Sequence, residues 1–359
     1  MRVLEVGDGE IRGEYVAPTV DQVLWGRLPC ATDAPILTVE PGSEVTFDTL
    51  SHEGILEDQG RDPERFFAPY EVPVLRDAVA LAASETPRTF GVDGPHVVSR
   101  PVAVHGARPG DLLAVTILET TPRVPYGVVS NRHGRGALPG EYPLADDGAV
   151  FSAFARVAAD GVHGELPLVP GGEQHARFPL RPFLGIIGVA VAGDQRPHSV
   201  PPGAHGGNID INLLVPGATL YLPVQAEGGL VYVGDPHFAQ GDGEVALTAM
   251  EASLRATVRL DVVAHEDAVR RFGELAGPLA EDADHLIPTG LDEDLDVAMS
   301  NCVRAAIALL QARHGMDPRM AYAYLSAATD FDISQVVDVV KGVHARIRKA
   351  DFAHLGTPS

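Results

Sequence analysis

Short runs in which apolar and polar residues alternate, separated by proline and glycine, dominate most of the chain. In residues 254–263 every second residue, from Leu254 to Val262, is apolar, and the residues between them are Arg, Thr, Arg and Asp. An alternation with a period of two is typical of a β-strand that buries one face. The 38 glycines and 29 prolines are spread along the chain rather than gathered in one block. This punctuation favours a protein built mainly of strands and turns.

One arrangement of strands and turns occurs three times, in residues 35–48, 101–118 and 213–224. In each stretch a Pro-Gly pair separates two apolar runs, which predicts strand, turn and strand. In the third stretch the first strand is expected at residues 213–215. The pattern is compatible with a weak internal duplication.

Helical patterns are sparse until the C-terminal part of the chain. Residues 77–84 predict a short helix. Residues 291–296 begin a long one, because carboxylates fill its first turn and apolar residues recur at helical spacing. The apolar positions of this helix are Val297, Cys302, Val303, Ile307 and Leu310. The later elements are a helix at residues 318–328, after a stop at His314-Gly315, and strands at 332–338 and 343–349.

These elements predict a mainly β fold of packed antiparallel sheets, resembling a sandwich or a barrel, with a small C-terminal α/β segment. We divide the chain into three parts. Residues 1–160 form a β-rich N-terminal part, and residues 161–285 form a second β-rich part with two glycine-rich polar motifs. Residues 286–359 form a helical hairpin with closing strands that packs on the rest.

Charge and composition exclude several classes of function. There are 27 Lys and Arg residues against 49 Asp and Glu, so the net charge is 27 − 49 = −22. Such a chain lacks the basic surface that nucleic acids and anionic membranes require. We find no run of 18 apolar residues and no signal-peptide pattern, and we therefore expect a cytoplasmic protein. Cys30 and Cys302 lie far apart, which excludes a thiolate zinc cluster.

The chain also lacks the common catalytic motifs. It contains no Gly-x-Ser-x-Gly, no phosphate-binding loop and no His-Glu-x-x-His. The only lysines, Lys341 and Lys349, lie at the two ends of the final strand-like segment, which disfavours a Ser–Lys nucleophile.

Histidines and carboxylates instead gather in four glycine-rich loops, at residues 51–60, 131–141, 205–210 and 234–244. Imidazole and carboxylate groups are the ligands of zinc or of another divalent ion with an open water position. Each loop by itself is equally consistent with an ordinary surface turn. Calcium bound as a structural ion is a further alternative.

Four motifs in a fixed order resemble the acetamidase/formamidase family. They are Gly-Ile-Ile-Gly-Val at 185–189, Val-Pro-Pro-Gly-Ala-His-Gly-Gly-Asn-Ile-Asp at 200–210, Leu-Tyr-Leu-Pro-Val at 220–224 and Gly-Asp-Pro-His-Phe-Ala-Gln-Gly-Asp-Gly-Glu at 234–244. The resemblance extends from about Val39 to Val263. It implies a fold of packed β-sheets and hydrolysis of a short carboxamide to carboxylate and ammonia. It also implies a divalent metal, most often zinc, and a homodimer or a dimer-based assembly.

Residues 51–59 depart from the Asp-rich segment of simpler members, which indicates a distinct subgroup and leaves the acyl group of the substrate open. With the resemblance as a guide, we assign candidate roles to individual residues. The expected metal ligands are His52, Asp210, Asp235 and His237. Glu244 or Glu53 is the expected general base, and His205 is a further candidate for ligation or catalysis. Gly206, Gly207 and Asn208 would donate to the oxyanion, and His133 and Arg132 would line the acyl pocket or receive a substrate carboxylate.

Two alternatives accompany this assignment. The same metal and water would open a small lactam. A chain with the same residues could also be a non-catalytic, metal-stabilised β protein that binds an amide-like ligand.

Overall fold

The computed structural model describes residues 3–355, and two large β-sheets form its framework. In chain order the strands are β1 (Glu14–Val16), β2 (Val23–Trp25), β3 (Leu37–Val39), β4 (Ser43–Asp48), β5 (Val97–Ser99), β6 (Val102–Val104), β7 (Leu112–Pro122), β8 (Tyr126–Arg132), β9 (Val150–Val157), β10 (His163–Pro167), β11 (His175–Pro179), β12 (Phe183–Val189), β13 (Gly206–Asn208), β14 (Thr219–Pro223), β15 (Val231–Ala239), β16 (Met250–Glu251), β17 (Leu254–Val263), β18 (Leu279–Glu281), β19 (His285–Asp292), β20 (Asp330–Gln335) and β21 (Lys341–Arg348). The α-helices are α1 (Pro63–Phe67), α2 (Arg76–Ala82), α3 (His265–Phe272), α4 (Leu295–His314) and α5 (Pro318–Ala328).

The strands divide into a nine-stranded sheet and a twelve-stranded sheet. The smaller sheet has the order β1-β4-β17-β7-β14-β18-β19-β21-β20. The larger one has the order β11-β10-β9-β8-β16-β15-β12-β13, and β2, β3, β5 and β6 join it through β15. Most neighbouring strands are antiparallel, so the predicted mainly β fold of packed antiparallel sheets is confirmed.

The main hydrophobic core lies between the two sheets. The smaller sheet contributes Phe47 and Val258, and the larger one contributes Ile187 and Val233, all fully buried. β17 supplies Ala256, Val258 and Leu260 to this core, in the alternation that the sequence predicts. Arg255 and Thr257 on its other face are buried as well, by contacts outside this core. The two sheets therefore form a sandwich that carries further strands and helices at its edges.

The Pro-Gly turns connect the two sheets instead of closing hairpins. β3 belongs to the larger sheet and β4 to the smaller one, and β6 and β7 are divided in the same way. The strand expected at residues 213–215 is wrong, because this segment is a turn. Leu214 is nevertheless buried in the core, and this is why the segment has the apolar character of a strand.

The C-terminal helices follow the prediction closely. α5 covers the predicted residues, and α4 ends at Gly315 in a left-handed conformation. α4 begins at Leu295 rather than near residue 291, because residues 285–292 form β19 and Asp294 caps the helix. Val297, expected on the buried face, is exposed.

α4 has the length and the mean hydropathy, 1.2 over an 18-residue window, of a membrane-spanning helix. One side of α4, including Cys302 and Leu310, is buried against β19 and β21 and other neighbours. By composition the helix thus resembles a membrane span, and in the structure it packs on the smaller sheet.

The smaller sheet takes strands from all three predicted parts of the chain. β7 comes from residues 1–160, β17 from residues 161–285, and β21 from residues 286–359. The three parts of the chain therefore share a sheet, and the division into domains stays a prediction.

Candidate active site

Histidine and carboxylate side chains from distant parts of the chain meet in one buried cluster. Its members, each at most 8% exposed, are His52, His96, Asp210, Asp235, His237, Glu244, Glu251 and Asp338. They come from the segment after β4, the residue before β5, the segment after β13, β15 and the loop that follows it, β16, and the turn between β20 and β21. We call this set the His/carboxylate cluster.

β15 provides the centre of the cluster. Asp235 and His237 are two residues apart on this strand, so their side chains project from the same face. Glu251 on β16 lies directly opposite His237 in the antiparallel register. The Nε2 atom of His237 is 3.0 Å from Oδ2 of Asp235 and 3.0 Å from Oε1 of Glu251.

Two further histidines approach Asp235 from the other side. Nδ1 of His52 is 3.5 Å from Oδ1 of Asp235, and Nε2 of His96 is 3.8 Å from the same oxygen. The other ring nitrogen of His96, Nδ1, is 3.0 Å from the Ser199 hydroxyl. This hydrogen bond orients the His96 ring so that Nε2 faces the cluster.

A second group of carboxylates lies on the far side of His237. Ligand atoms of Asp210, His237 and Glu244 all lie within 4.8 Å of one another. Asp338 joins this side, and its Oδ2 atom accepts a hydrogen bond of 2.9 Å from Nδ2 of Asn208.

The donor atoms of the cluster fit a divalent metal ion. Three overlapping groups have ligand atoms close enough together to share an ion: His52, His96 and Asp235; Asp235, His237 and Glu251; and Asp210, His237 and Glu244. Several buried atoms find no hydrogen-bond partner among residues 3–355, namely Nδ1 of His52, both carboxylate oxygens of Asp210, Oδ1 of Asp235, Nε2 of His237 and Oε2 of Glu251. Buried polar atoms without partners are costly, and metal coordination satisfies them.

The backbone is strained where three of the carboxylates are attached. Asp210, Asp235 and Glu244 have φ angles of 47°, 49° and 46°, in the left-handed region that residues other than glycine seldom adopt. Each such residue costs of the order of 1 kcal/mol, and such strain is concentrated at functional sites. Three carboxylates of the His/carboxylate cluster are thus attached to backbone that the surrounding fold must hold in an unfavourable conformation.

Burial and mutual charge shift the pKa values of the cluster. Burial acts to lower the pKa of His52, but the carboxylates of Asp235, Glu53 and Glu251 outweigh it and raise the value to about 10. Burial raises the pKa of Glu244 well above its usual range, and the nearby Asp338 adds to this effect. The pKa of Glu251 rises to about 7, again chiefly because of burial. The crowded carboxylates therefore attract positive charge, which a divalent cation would supply.

Gly185 on β12 has no side chain, and the central ligands occupy the space that a side chain would need. A Cβ atom at this position would lie 2.5 Å from Oδ1 of Asp210, 2.7 Å from Oδ2 of Asp235 and 2.7 Å from Cε1 of His237. No side chain larger than hydrogen fits there unless these groups move.

We therefore expect Gly185→Ala to lower metal affinity about ten- to a hundredfold, because overpacking costs about 1–3 kcal/mol. Metal titration of the purified variant measures the effect. Gly277→Ala is the matched control, since its Cβ would come no closer than 4.0 Å to another residue. Equal affinity in both variants would show that the ligands do not depend on this space.

Glu53 lies behind His52, outside the lining of the cavity described below. Its Oε2 atom accepts hydrogen bonds from the Ser130 hydroxyl, at 2.6 Å, and from Nε2 of Gln59. Its Oε1 atom is 3.4 Å from Nε2 of His52. Glu53 thus lies beside the ring nitrogen of His52 that is farther from Asp235, the place where carboxylates behind metal-binding histidines are found. Its predicted role as general base stays a prediction.

The cluster forms the inner end of a cavity of about 360 Å³. Of the residues with predicted roles, His52, Asp235, Glu244, Asn208, Arg132 and His133 line it. Asp210 and His237 lie behind this surface, in contact with the lining carboxylates.

His205, Gly206 and Gly207 lie outside the cavity lining, contrary to their predicted roles. The Gly206 N–H donates to the Gly203 carbonyl at 2.9 Å, so it is not free for an oxyanion. Gly207 lies opposite Ile187 where β13 pairs with β12. His205 packs on the backbone of Gly203 and Gly207, where an added Cβ would lie 3.0 Å from its ring. In the fold the glycines of this motif allow close pairing of β13 with β12, and their role toward an oxyanion stays a prediction.

Sequence reasoning missed His96, Glu251 and Asp338. His96 follows a Gly-Pro pair, Gly94-Pro95, and this was the one signal available for it. Glu251 lies on a two-residue strand, and Asp338 lies in a segment that was predicted to be a strand. Neither of the two has neighbours of the kind that mark the glycine-rich loops.

A family model described as the Acetamidase/Formamidase family matches residues 83–197 and 189–347. A formamidase from Methylophilus methylotrophus is 29% identical over 221 residues, which cover 50% of this chain and 54% of that protein. The chain spans about half the length of the curated relatives it matches.

Solved structures share the fold. An acetamidase from Bacillus halodurans aligns with a TM-score of 0.73 and 24% identity, over 96% of this chain and 100% of that one. A γ-lactamase from Delftia acidovorans aligns with a TM-score of 0.57 and 22% identity, over 94% of this chain and 93% of that one. At these identities the similarity describes the architecture of the sandwich and leaves the reaction to be argued from the site.

Proposed function

The chain belongs to the acetamidase/formamidase family, and from this we propose that it hydrolyses a linear carboxamide to a carboxylate and ammonia at the His/carboxylate cluster. The observation that carries the proposal is the cluster itself, with its unpartnered nitrogen and oxygen atoms at the inner end of a cavity. A formamidase and an acetamidase among the proteins similar to this chain support an amide as substrate.

We propose zinc as the metal. His52, His96 and Asp235 on one side, and His237 and Glu251 on the other, are nitrogen and oxygen donors of the kind that zinc accepts. A divalent ion held there would polarise the amide carbonyl and lower the pKa of a water molecule that it binds. Calcium, which prefers oxygen ligands, fits the carboxylate-rich side near Asp210 better, as a structural ion.

Glu244 is the residue of this chain best placed to move protons. Its carboxylate lines the cavity, next to Asp210 and His237. During hydrolysis the oxygen of water bonds to the carbonyl carbon, and Glu244 takes the proton that the water loses. The carbon–nitrogen bond then breaks as Glu244 returns the proton to nitrogen, so that ammonia leaves and the carboxylic acid remains. The acid loses its proton to water and leaves as the carboxylate.

Removal of the metal tests the proposal directly. We expect ammonia release from formamide, acetamide or a larger linear amide to disappear on complete chelation and to return when zinc is added. The measurement is ammonia release by protein whose metal content has been determined at each stage. Release that survives complete metal removal would contradict the metal-dependent mechanism and leave an acid–base pair of carboxylates as the catalyst.

The same assay separates the alternatives. A small lactam included among the substrates tests the cyclic-amide reaction, which the likeness to a γ-lactamase structure supports only through the shared fold. Metal binding without hydrolysis of any amide or lactam would favour a non-catalytic binding protein.

We also propose a homodimer or a dimer-based assembly and a cytoplasmic location. The first is suggested by family membership, and light scattering of the purified protein tests it. The second is suggested by composition, and fractionation of cells that produce the protein tests it.

A further inference from the structure

The cavity is larger than a small amide needs. A water-sized group takes up about 30 Å³, so acetamide, with about four non-hydrogen atoms, needs roughly 120 Å³. The cavity measures about 360 Å³. Acetamide would therefore fill about a third of it and leave the outer part to water.

The space beyond the His/carboxylate cluster has an apolar wall. Leu56, Phe90, Pro95, Val150, Val200 and Leu247 line it. Apolar walls bind the methylene groups of an acyl chain, because water leaves both surfaces when they meet. An acyl chain longer than acetyl is the group that such a wall accommodates.

The mouth of the cavity carries positive charge although the chain as a whole has a net charge of −22. Arg88, Arg132 and Arg135 all belong to the lining. Arg88 pairs with Glu57, and Nε of Arg132 lies 2.7 Å from Oδ2 of Asp58. These two arginines are therefore neutralised by partners within the protein.

Arg135 is exposed at this mouth and forms no ion pair in the described part of the chain, residues 3–355. Asp93, an acid of the lining, is already paired with Arg27 at 2.6 Å. His198 lies close enough that the charges of Arg27 and Arg135 add to burial in lowering its pKa. The mouth thus has a surplus cation, with the imidazoles of His133 and His198 also in the lining.

We propose that the preferred substrate is an amide whose acyl chain ends in a second, anionic group, and that Arg135 binds this group at the mouth of the cavity. The proposal rests on the amidase function proposed above and adds its substrate class, a half-amide of a linear dicarboxylic acid. The amide group lies at the His/carboxylate cluster, the methylene groups lie along the apolar wall, and the terminal carboxylate faces Arg135. Hydrolysis of such a substrate yields the dicarboxylate and ammonia.

The first experiment compares glutaramate with pentanamide, its neutral counterpart, on the metal-loaded protein. We expect kcat/KM to be about two- to fivefold higher for glutaramate, the effect of roughly one exposed charge pair, and the advantage to shrink as salt is added. Arg135→Gln should abolish this preference and remove its salt dependence. Arg108→Gln, an exposed arginine on the turn before β7, is the matched control and should leave the ratio unchanged.

A binding measurement makes the test independent of turnover. Titration calorimetry compares glutarate with pentanoate on the same protein and on the Arg135→Gln variant, and we expect glutarate to bind more tightly only when Arg135 is present. Turnover of pentanamide without any preference for glutaramate would overturn the substrate class and leave the amidase function intact. Arg135-dependent binding of glutarate without turnover of any amide would support the anion site and contradict the amidase function. Equal binding of both acids would overturn the anion site.

Discussion

Replacing His237 with alanine is expected to remove the metal and to lower turnover about a thousandfold or more. His237 is fully buried, and its Nε2 atom lies 3.0 Å from both Asp235 and Glu251, so two of the three candidate ligand groups lose a member. Loss of the metal should lower the turnover rate, because a metal ion contributes several kcal/mol of transition-state stabilisation. Each 1.4 kcal/mol corresponds to about tenfold in rate. Metal analysis by mass spectrometry and ammonia release measure the two effects on the same sample.

The chain offers a matched control for this experiment. His205 is also a buried histidine, 9% exposed, and its Nε2 has no hydrogen-bond partner within the part of the chain that the structure covers. It lies outside the His/carboxylate cluster, so His205→Ala should keep its metal. Full metal occupancy in the His237 variant, or loss of metal in the His205 variant alone, would contradict the assignment of the cluster and return the ligand role to the His205 loop.

Glu244→Gln is expected to separate proton transfer from metal binding. The amide is nearly the same size as the carboxylate but cannot accept the proton of the attacking water. General acid–base groups contribute about a hundred- to ten-thousandfold to rates, so kcat should fall by that factor. The remaining ligands, including His52, Asp235 and Glu251, should keep the metal in place.

The readout for this variant is the pair of kcat and metal content. A large loss of kcat with metal retained would support Glu244 as the proton carrier. Unchanged turnover would refute that role and direct attention to Asp338, the neighbouring carboxylate in the lining of the cavity. Loss of metal together with activity would instead identify Glu244 as a ligand, consistent with its closeness to Asp210 and His237.

The sequence pattern was sufficient to predict those elements that depend on interactions between residues close together in the chain. The alternation in β17 reflects one sheet face, and the start of α5 reflects a capping Asp317 followed by Pro318. Both elements lie where the sequence predicts them. The Pro-Gly turns were also placed well, but a turn specifies a change of direction and not the sheet that the next strand joins.

The candidate site was predicted in part. Asp235 and His237 share a glycine-rich motif and a strand, so their partnership follows from spacing alone. Glu251 is paired with His237 only by the register of β15 with β16, and Asp338 arrives from the turn between β20 and β21. Pairings between separate segments of the chain leave no periodic signal in either segment.

Two further roles stay predictions, because residue type alone does not reveal the partners of a group. Glu53 and Gly206 are the residue types that a base and an oxyanion hole require, and both lie in motifs of the right composition. In the fold, Oε2 of Glu53 accepts hydrogen bonds from Ser130 and Gln59, and the Gly206 N–H donates to Gly203. Residue type describes what a group can do, and its partners determine which of these capacities remains available.

By itself the sequence determined the class of fold, the family and the chemical type of the site, because alternation, turn residues and motif order are properties of neighbours along the chain. The tertiary structure alone decided which histidines and carboxylates share one cluster, that Gly185 makes room for them, and that Arg135 has no ion-pair partner among residues 3–355 at the mouth of the cavity. The physical reason is that ligand geometry, burial and charge pairing are set by distances in space. In this sandwich those distances are fixed by strand register and by crossings between the sheets that connect residues hundreds of positions apart.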